Sequence, residues 1–295
     1  MNVRELELSA ARGRLLALEM VYRAASGHIG GSLSAMDALT ELYFEELRVD
    51  TANPHDPDRD RFVMSKGHCT PALYAVLALR GFFPVEELEL FRSIKGHMSG
   101  HPDMVHVPGV DMSTGSLGQG LACAGGMALA GKLDGRDYRV YALMGDGEIE
   151  EGQVWEAAMS AAKYHLDHLC AIVDVNGLQI DGSTTDVMPT EPLDEKFAAF
   201  NWNVLKVDGH DLAAIAEALE LAAGARDYFP GLTDPEIAVE LLKLGLEKNE
   251  KASVFMQAAR TTLTKMLLAL SDEALEYVWR PIVYAYYYTD QRDPD

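Results

Sequence analysis

Apolar side chains recur at helical spacing between residues 4 and 24 (Leu8, Leu15, Leu18, Val21, Tyr22), and the pattern stops at Ser26-Gly27, which predicts a first helix. A second helix is expected over 34–47. Arg61–Ser65 (RFVMS) reads as a short buried strand, and Pro71 to Arg80 as a helix with proline in its first turn. From residue 121 the signals alternate: a small-residue helix at 121–133, a strand at 138–144 (YRVYALM), a helix at 151–165 and a strand at 168–175 (HLCAIVDV). A strand at 203–208 (NVLKVD) and a helix at 211–222, with Asp211 near its cap, complete the series. Strands that are nearly all apolar, separated by helices, imply an α/β fold: a doubly wound, mostly parallel sheet with helices on both faces.

Two segments break the alternation. Residues 92–112 have no period, carry His97, His101 and His106 among glycines and prolines, and read as a functional loop. The segment STGSLGQG that follows is a glycine-rich turn. Composition then shifts near Ala223, which divides the chain into a 1–222 domain and a 223–295 tail. Helical stripes at 235–246 and 261–270 make the tail a mostly helical appendage, although Ser253–Ala258 reads equally well as a last strand. Five of the 12 tyrosines lie between Tyr277 and Tyr288, an aromatic cluster suited either to docking the tail on the core or to an oligomer contact.

Charge narrows the function. The 25 Lys and Arg face 46 Asp and Glu, a net charge of −21 without any basic run, so nucleic acid is not the expected partner. A small anion remains admissible if a metal ion or a few placed His and amide groups supply positive charge. Cys69, Cys123 and Cys170 form no CxxC pair and suit a reducing cytoplasm. The N-terminal stretch is amphipathic and no 18-residue apolar run occurs, so neither a signal peptide nor a membrane partner is expected.

In open parallel sheets, ligands bind beyond the carboxyl ends of the strands. Asp146 follows one strand directly, in Gly145-Asp146-Gly147, and Asn176 follows the next. The interval between them suits one right-handed crossover helix, which brings both strand ends to one sheet edge. A carboxylate (Asp146), an amide oxygen (Asn176) and the Leu178 carbonyl make half of an octahedral Mg²⁺ shell, which phosphate oxygens and water complete. Alone, Gly-Asp-Gly is a turn; with Asn176 at strand-end spacing, the metal site is the better reading. The glycines at 115, 118 and 120 do not form a dinucleotide fingerprint, and no strand clearly precedes them. His97 and His101 have HxxxH spacing but sit in a Gly- and Pro-rich loop rather than on a helix, which disfavours zinc.

GDGEIEEGQVWEAAMSAA followed by IVDVNGLQIDG resembles the thiamine diphosphate signature of transketolases. SGHIGGSLS, RFVMSKGH, GHPD and DMSTGSLGQG resemble the same family in the same order, from about residue 8 to 222. The resemblance is strongest to the stand-alone N-terminal, pyrophosphate-binding subunit of split transketolases. It implies thiamine diphosphate with Mg²⁺ (or Ca²⁺ or Mn²⁺ in its place), the metal held by Asp146, Asn176 and the Leu178 carbonyl. Gly145 and Gly147 would line that site, and Gly115, Ser116 and Leu117 would pack around the cofactor. His28, His68 and His101 would line the cofactor and donor-sugar site, and Glu151 would stand at a subunit interface. The implied activity is transfer of a two-carbon ketol unit from a ketose phosphate to an aldose phosphate.

Three departures from the family pattern stand out. Ile29 replaces the usual proline beside His28, the closing strand and its following histidine are not recognisable after 222, and no pyrimidine-binding domain is present. The last implies a separate pyrimidine-domain subunit within a homo- or hetero-oligomer, and a lone chain without activity. Two alternatives stay open: a non-catalytic homologue acting as an interaction protein, and a subunit of a related enzyme such as 1-deoxyxylulose-5-phosphate synthase.

Overall fold

The computed structural model describes residues 1–180, 182–228 and 240–245. The helices are α1 (Val3–Ala24), α2 (Gly30–Ser34), α3 (Met36–Glu41), α4 (Thr70–Arg80), α5 (Gly120–Asp134), α6 (Gly152–Tyr164), α7 (Thr184–Val187), α8 (Leu193–Ala199) and α9 (Leu212–Tyr228). The strands are β1 (Arg61–Met64), β2 (Val140–Gly145), β3 (Leu169–Val175), β4 (Leu178–Gln179), β5 (Gly182–Ser183), β6 (Asn203–Asp208) and β7 (Glu240–Gly245). Five of them form one sheet in the order β1-β2-β3-β7-β6, with every neighbouring pair parallel. The short β4 and β5 form an antiparallel hairpin.

The apolar runs are continuous because each strand feeds a core on both faces. Along β2, Tyr141 and Leu143 enter one core while Val140, Ala142 and Met144 enter the other. In β3, Cys170 and Ile172 oppose Leu169, Ala171 and Val173 in the same way. Residues of α1, α3, α4 and α9 cover the first face, and residues of α5, α6 and α8 the second. Each fully buried Leu, Ile or Val contributes about 1.5–3 kcal/mol.

The N-terminal helix forms as expected, but it turns a different face inward. Leu6, Ala10, Gly13, Arg14, Ala17 and Met20 are buried, whereas Leu8 and Tyr22 are exposed. Small residues let α1 approach its neighbours closely: a Cβ at Gly13 would lie 2.5 Å from the Met36 sulfur. Its start is fixed by a reciprocal cap, in which the Glu5 N–H donates to Asn2 Oδ1 at 3.0 Å and the Asn2 N–H to Glu5 Oε2 at 2.9 Å. The helix expected over 34–47 begins earlier, at Gly30, and breaks into α2, α3 and a π-turn at Leu42–Glu46.

One correction concerns the chain beyond 222. The helix predicted to stop there continues to Tyr228, and the helical stripe expected over 235–246 contains β7 instead. β7 fills the slot between β3 and β6, supplying a closing strand that was not recognisable in the sequence. In ELLKLG the leucines satisfy helical and extended periods alike, and the vacancy between two parallel strands selects the strand. The stripe at 261–270, the Ser253–Ala258 run and the Tyr277–Tyr288 cluster lie outside the described residues.

Candidate functional site

β2 and β3 end side by side, with Gly145 opposite Asp174. Asp146 therefore leaves the sheet next to the turn that carries Asn176. Its Oδ2 accepts from the Gly177 N–H at 2.8 Å and its Oδ1 from the Gly147 N–H at 3.0 Å. Gly177 has φ +72°, a conformation that aims its N–H at the carboxylate and that a side chain would oppose. Asn176 Oδ1 accepts from the Leu178 N–H at 3.0 Å, which folds its amide back over the same turn. Asp146, Asn176 and the Leu178 backbone are thus brought together as the strand-end spacing predicts.

Asp146 is 2% exposed, and burial, with the nearby Asp174 carboxylate adding to it, pushes its pKa up to about 6. A buried carboxylate held by two backbone donors, beside an amide and a main-chain carbonyl, is a hard-oxygen donor set. The side chain of Gln179 lies over Gly147, where a Cβ would stand 3.3 Å from its amide carbon, and its Oε1 is buried with no hydrogen-bond partner. This orphaned acceptor at the same turn, together with the donor set, fits a divalent cation or its bound water. Among the described residues no three His, Cys, Asp or Glu side chains cluster as a metal site.

The histidines converge from separate segments. The rings of His28 and His68 meet edge to face, with centroids 5.4 Å apart. His101 lies against the glycine-rich turn, where a Cβ at Gly115 would stand 3.2 Å from its Cδ2. Gly67 packs on the same turn: a Cβ there would be 3.0 Å from the Gly115 nitrogen. Burial pushes His68 down to about 4, reinforced by Lys66, His28 and His101, and burial also lowers His101, with Arg92 and His28 adding to it. At neutral pH both rings are uncharged, each a donor at one nitrogen and an acceptor at the other. His97 instead stacks on His106, with centroids 5.4 Å apart and planes 6° apart.

The remaining predicted residues lie around the glycine-rich turn. The Leu117 carbonyl accepts from Gln153 Nε2 at 3.1 Å, and Ser116 Oγ from Gln119 Nε2 at 3.1 Å. Glu151 is exposed at the start of α6 and packs on Gly118, where φ is +84° and a Cβ would lie 2.5 Å from the Glu151 Cβ. It touches the glycine-rich turn through its stem and leaves the rest of the residue open to solvent.

Three buried charged residues beside the site, Lys66, Asp174 and Glu148, lie outside the predicted set. Lys66, 1% exposed, forms an ion pair with Asp174 and donates to the Gly31 carbonyl at 3.0 Å. Burial opposes the charge on Lys66, but Asp174 outweighs it and raises the ammonium pKa. Ser34 Oγ donates to the same Asp174 carboxylate. Glu148, 2% exposed, accepts from the Gly118 N–H at 2.8 Å, the Gly145 N–H at 3.1 Å and the Ser65 hydroxyl. It ties the glycine-rich turn to the ends of β1 and β2. A lysine and an aspartate inside or beside apolar strands were the available signal for the first pair; nothing in the sequence marked Glu148.

Strand order and parallel register define a doubly wound α/β domain, with the acidic Asp146 turn at the carboxyl edge of its sheet. Residues 6–234 match the family model "Transketolase, thiamine diphosphate binding domain", and the chain belongs to this family of transferases. It is 48% identical over 213 residues to a 6-deoxy-6-sulfo-D-fructose transketolase subunit, SqwG, of Clostridium sp. (strain MSTE9), covering 72% of this chain and 78% of the relative. It is 46% identical over 215 residues to an apulose-4-phosphate transketolase subunit of Phocaeicola vulgatus, covering 73% and 76%. Among solved structures, the transketolase of Campylobacter jejuni superposes with a TM-score of 0.74 at 33% identity, over 83% of this chain and 38% of that one. A transketolase variant from Pichia stipitis superposes with a TM-score of 0.77 at 27% identity, over 97% and 45%. The chain thus spans less than half the length of these solved transketolase chains.

Proposed function

We propose that this chain is the cofactor-binding subunit of a two-chain transketolase, moving a two-carbon ketol unit from a ketose phosphate to an aldose phosphate. A separate subunit would supply the pyrimidine-binding domain, and the site would be complete only where the two meet. The relatives of similar length are named as transketolase subunits, which supports a divided enzyme. Free thiols at Cys69, Cys123 and Cys170 suit a reducing, cytoplasmic setting. Among the described residues no helix is long and apolar enough to cross a membrane.

Asp146, Asn176 and the Leu178 carbonyl would hold Mg²⁺ against a diphosphate, with Gly145 and Gly147 lining that site. Thiamine diphosphate, when bound, supplies the electron sink that ketol transfer needs. Gly115, Ser116 and Leu117 would form the wall against which it lies, held in place by Glu148. His28, His68 and His101 would orient sugar hydroxyls and move protons among them; the uncharged His68 and His101 rings suit that work at neutral pH. Glu151 is exposed at the start of α6, where a subunit contact could reach it. Ile29 does not undo the placement of His28, since the ring is held against His68.

The observation that carries this reading is the Asp146 carboxylate closed onto the Gly177 N–H across two adjacent strand ends. Calorimetric titration of thiamine diphosphate into the chain, with Mg²⁺ or with chelator, tests it beside Asp146→Ala. Binding that requires both Mg²⁺ and Asp146 is the expected result. Binding indifferent to both, or absent even after a family pyrimidine-domain subunit is added, overturns it.

A further inference from the structure

Gln179 follows the Leu178 carbonyl in the turn that carries Asn176, and backbone hydrogen bonds fix its place. Leu178 pairs with Ser183 and Gln179 with Gly182 across the β4–β5 hairpin, and the Thr184 N–H donates to the Gly177 carbonyl at 3.0 Å. Side chains alternate along a strand, so Leu178 is exposed while Gln179 turns inward. There it meets Gly147, where a Cβ would stand 3.3 Å from the Gln179 Cδ and 3.5 Å from its Nε2. Gly147 is also the residue whose N–H donates to Asp146 Oδ1. The Gln179 amide oxygen thus lies at the Asp146 turn, buried, and accepts no hydrogen bond.

Buried acceptors are seldom left in that state, because the desolvation cost is then uncompensated. Among the described residues Glu41 Oε2 is the other buried side-chain oxygen without a partner. Glu41 can answer with its own proton, since burial, with Glu45 and Glu46 adding to it, pushes its pKa up to about 7. An amide does not titrate in this way, so Gln179 Oε1 needs a donor brought to it. A bare cation has no hydrogen to give, but Mg²⁺ dehydrates reluctantly and keeps water in its shell. Such a water has its oxygen on the metal and its hydrogens directed outward, toward an acceptor placed behind the ligand atoms.

We propose that Gln179 is a positioning residue for the cation at the Asp146 turn, its Oε1 accepting a hydrogen from a water that the cation retains. This rests on the reading of that turn as a cation site and adds to it a residue that touches the metal only through water. The role has a cost built in: the same oxygen burdens the metal-free protein and is satisfied only when the cation arrives with its water. Outer partners of this kind commonly change metal affinity by about 10–100-fold.

The test compares the full chain with Gln179→Met, which keeps the length of the side chain without its strong acceptor, and with Gln179→Glu, which keeps an acceptor. Mn²⁺, which takes the same hard-oxygen ligands as Mg²⁺, is the probe, titrated by electron paramagnetic resonance with and without thiamine diphosphate. Gln179→Met should bind Mn²⁺ about tenfold or more weakly, Gln179→Glu at least as tightly as wild type. In chelator, Gln179→Met should melt no lower than wild type, because the oxygen it removes has no partner there. A variant that melts lower in chelator, or that binds Mn²⁺ as tightly as wild type, overturns the proposal, as does failure of Gln179→Glu to restore affinity. Broadening of ¹⁷O-water by bound Mn²⁺ counts the waters on the metal: equal numbers in wild type and Gln179→Met are expected, and one more in the variant shows direct ligation and overturns the role through water. Asp146→Ala separates the two readings. Mn²⁺ binding that is absent in wild type or indifferent to Asp146 defeats the cation assignment and this role together, whereas binding that needs Asp146 but ignores Gln179→Met defeats this role alone.

Discussion

Replacing Asp146 by asparagine should make the metal-free protein more stable while removing its capacity to bind Mg²⁺ and thiamine diphosphate. Burial lifts the Asp146 pKa from an ordinary 3.8 to about 6. That difference corresponds to about 3 kcal/mol of bias against the charged form at pH 7. Asparagine removes the charge, but its NH₂ must face one of the two backbone N–H donors that the carboxylate now accepts, from Gly147 and Gly177. Losing one hydrogen bond costs about 1 kcal/mol, leaving a gain of about 2 kcal/mol. For a domain of this size that is a rise in Tm of about 4–8 °C. The sign fixes the pH dependence. A carboxylate whose pKa is raised in the folded state contributes stability below its unfolded pKa and loses it as pH rises through the folded value. The advantage of Asp146→Asn should therefore vanish near pH 4, grow through about pH 6 and level off above it. Thermal melts of both proteins in chelator between pH 4 and 8 measure this, and melts with Mg²⁺ and thiamine diphosphate should stabilise the wild type alone. A variant less stable than wild type at pH 7.5 in chelator, or a difference that does not change with pH, would refute the reasoning.

Lys66→Met leaves Asp174 buried with only Ser34 as a side-chain partner and should cost about 3–5 kcal/mol in urea unfolding; pairing it with Asp174→Leu should recover much of that loss. Glu148→Ala strips acceptors from two buried N–H groups and the Ser65 hydroxyl, so a loss of about 3 kcal/mol is expected by the same assay. Calorimetry should also show weaker thiamine diphosphate binding in this variant, because the glycine-rich turn is no longer tied to the strand ends. Gly120→Ala places a Cβ 2.8 Å from the Ser65 Cα, a clash with backbone that no rotamer relieves, and should lower Tm by several degrees in a thermal melt.

What could be read in the sequence depended on whether the governing interaction was local. The meeting of Asp146 with the Asn176 turn was legible because the two sit at the ends of consecutive strands, and a parallel crossover leaves those ends adjacent. The pleat of β2 and β3 was legible for a similar reason: strands apolar at nearly every position lie between two cores. The inward face of α1 was not, because the helix is pressed against its neighbours through Ala10, Gly13 and Ala17, and close approach favours small residues over the larger Leu8 and Tyr22. Nor was β7, whose leucines fit either period until the slot between β3 and β6 is known.

The site divides along the same line. His28, His68 and His101 come from three segments, and only resemblance grouped them; no spacing rule would have done so. Lys66, Asp174 and Glu148 are more instructive, because each is a charged group buried to within 2% exposure in a strand-end layer where charge is costly. Such groups persist only where partners compensate them, and those partners are distant in sequence: Lys66, just after β1, meets Asp174 from β3, and Glu148 reaches back to Gly118 and Ser65. Burial raises the pKa of Glu148, at the glycine-rich turn, and of Asp146 alike, and Gln179 Oε1, buried at the Asp146 turn, has no hydrogen-bond partner. A layer of hydrogen-bonded buried charges that ends at one turn in a carboxylate held by two backbone N–H groups and in one unpartnered buried oxygen is what a site prepared for a cation requires: positive charge added at that turn would relieve both.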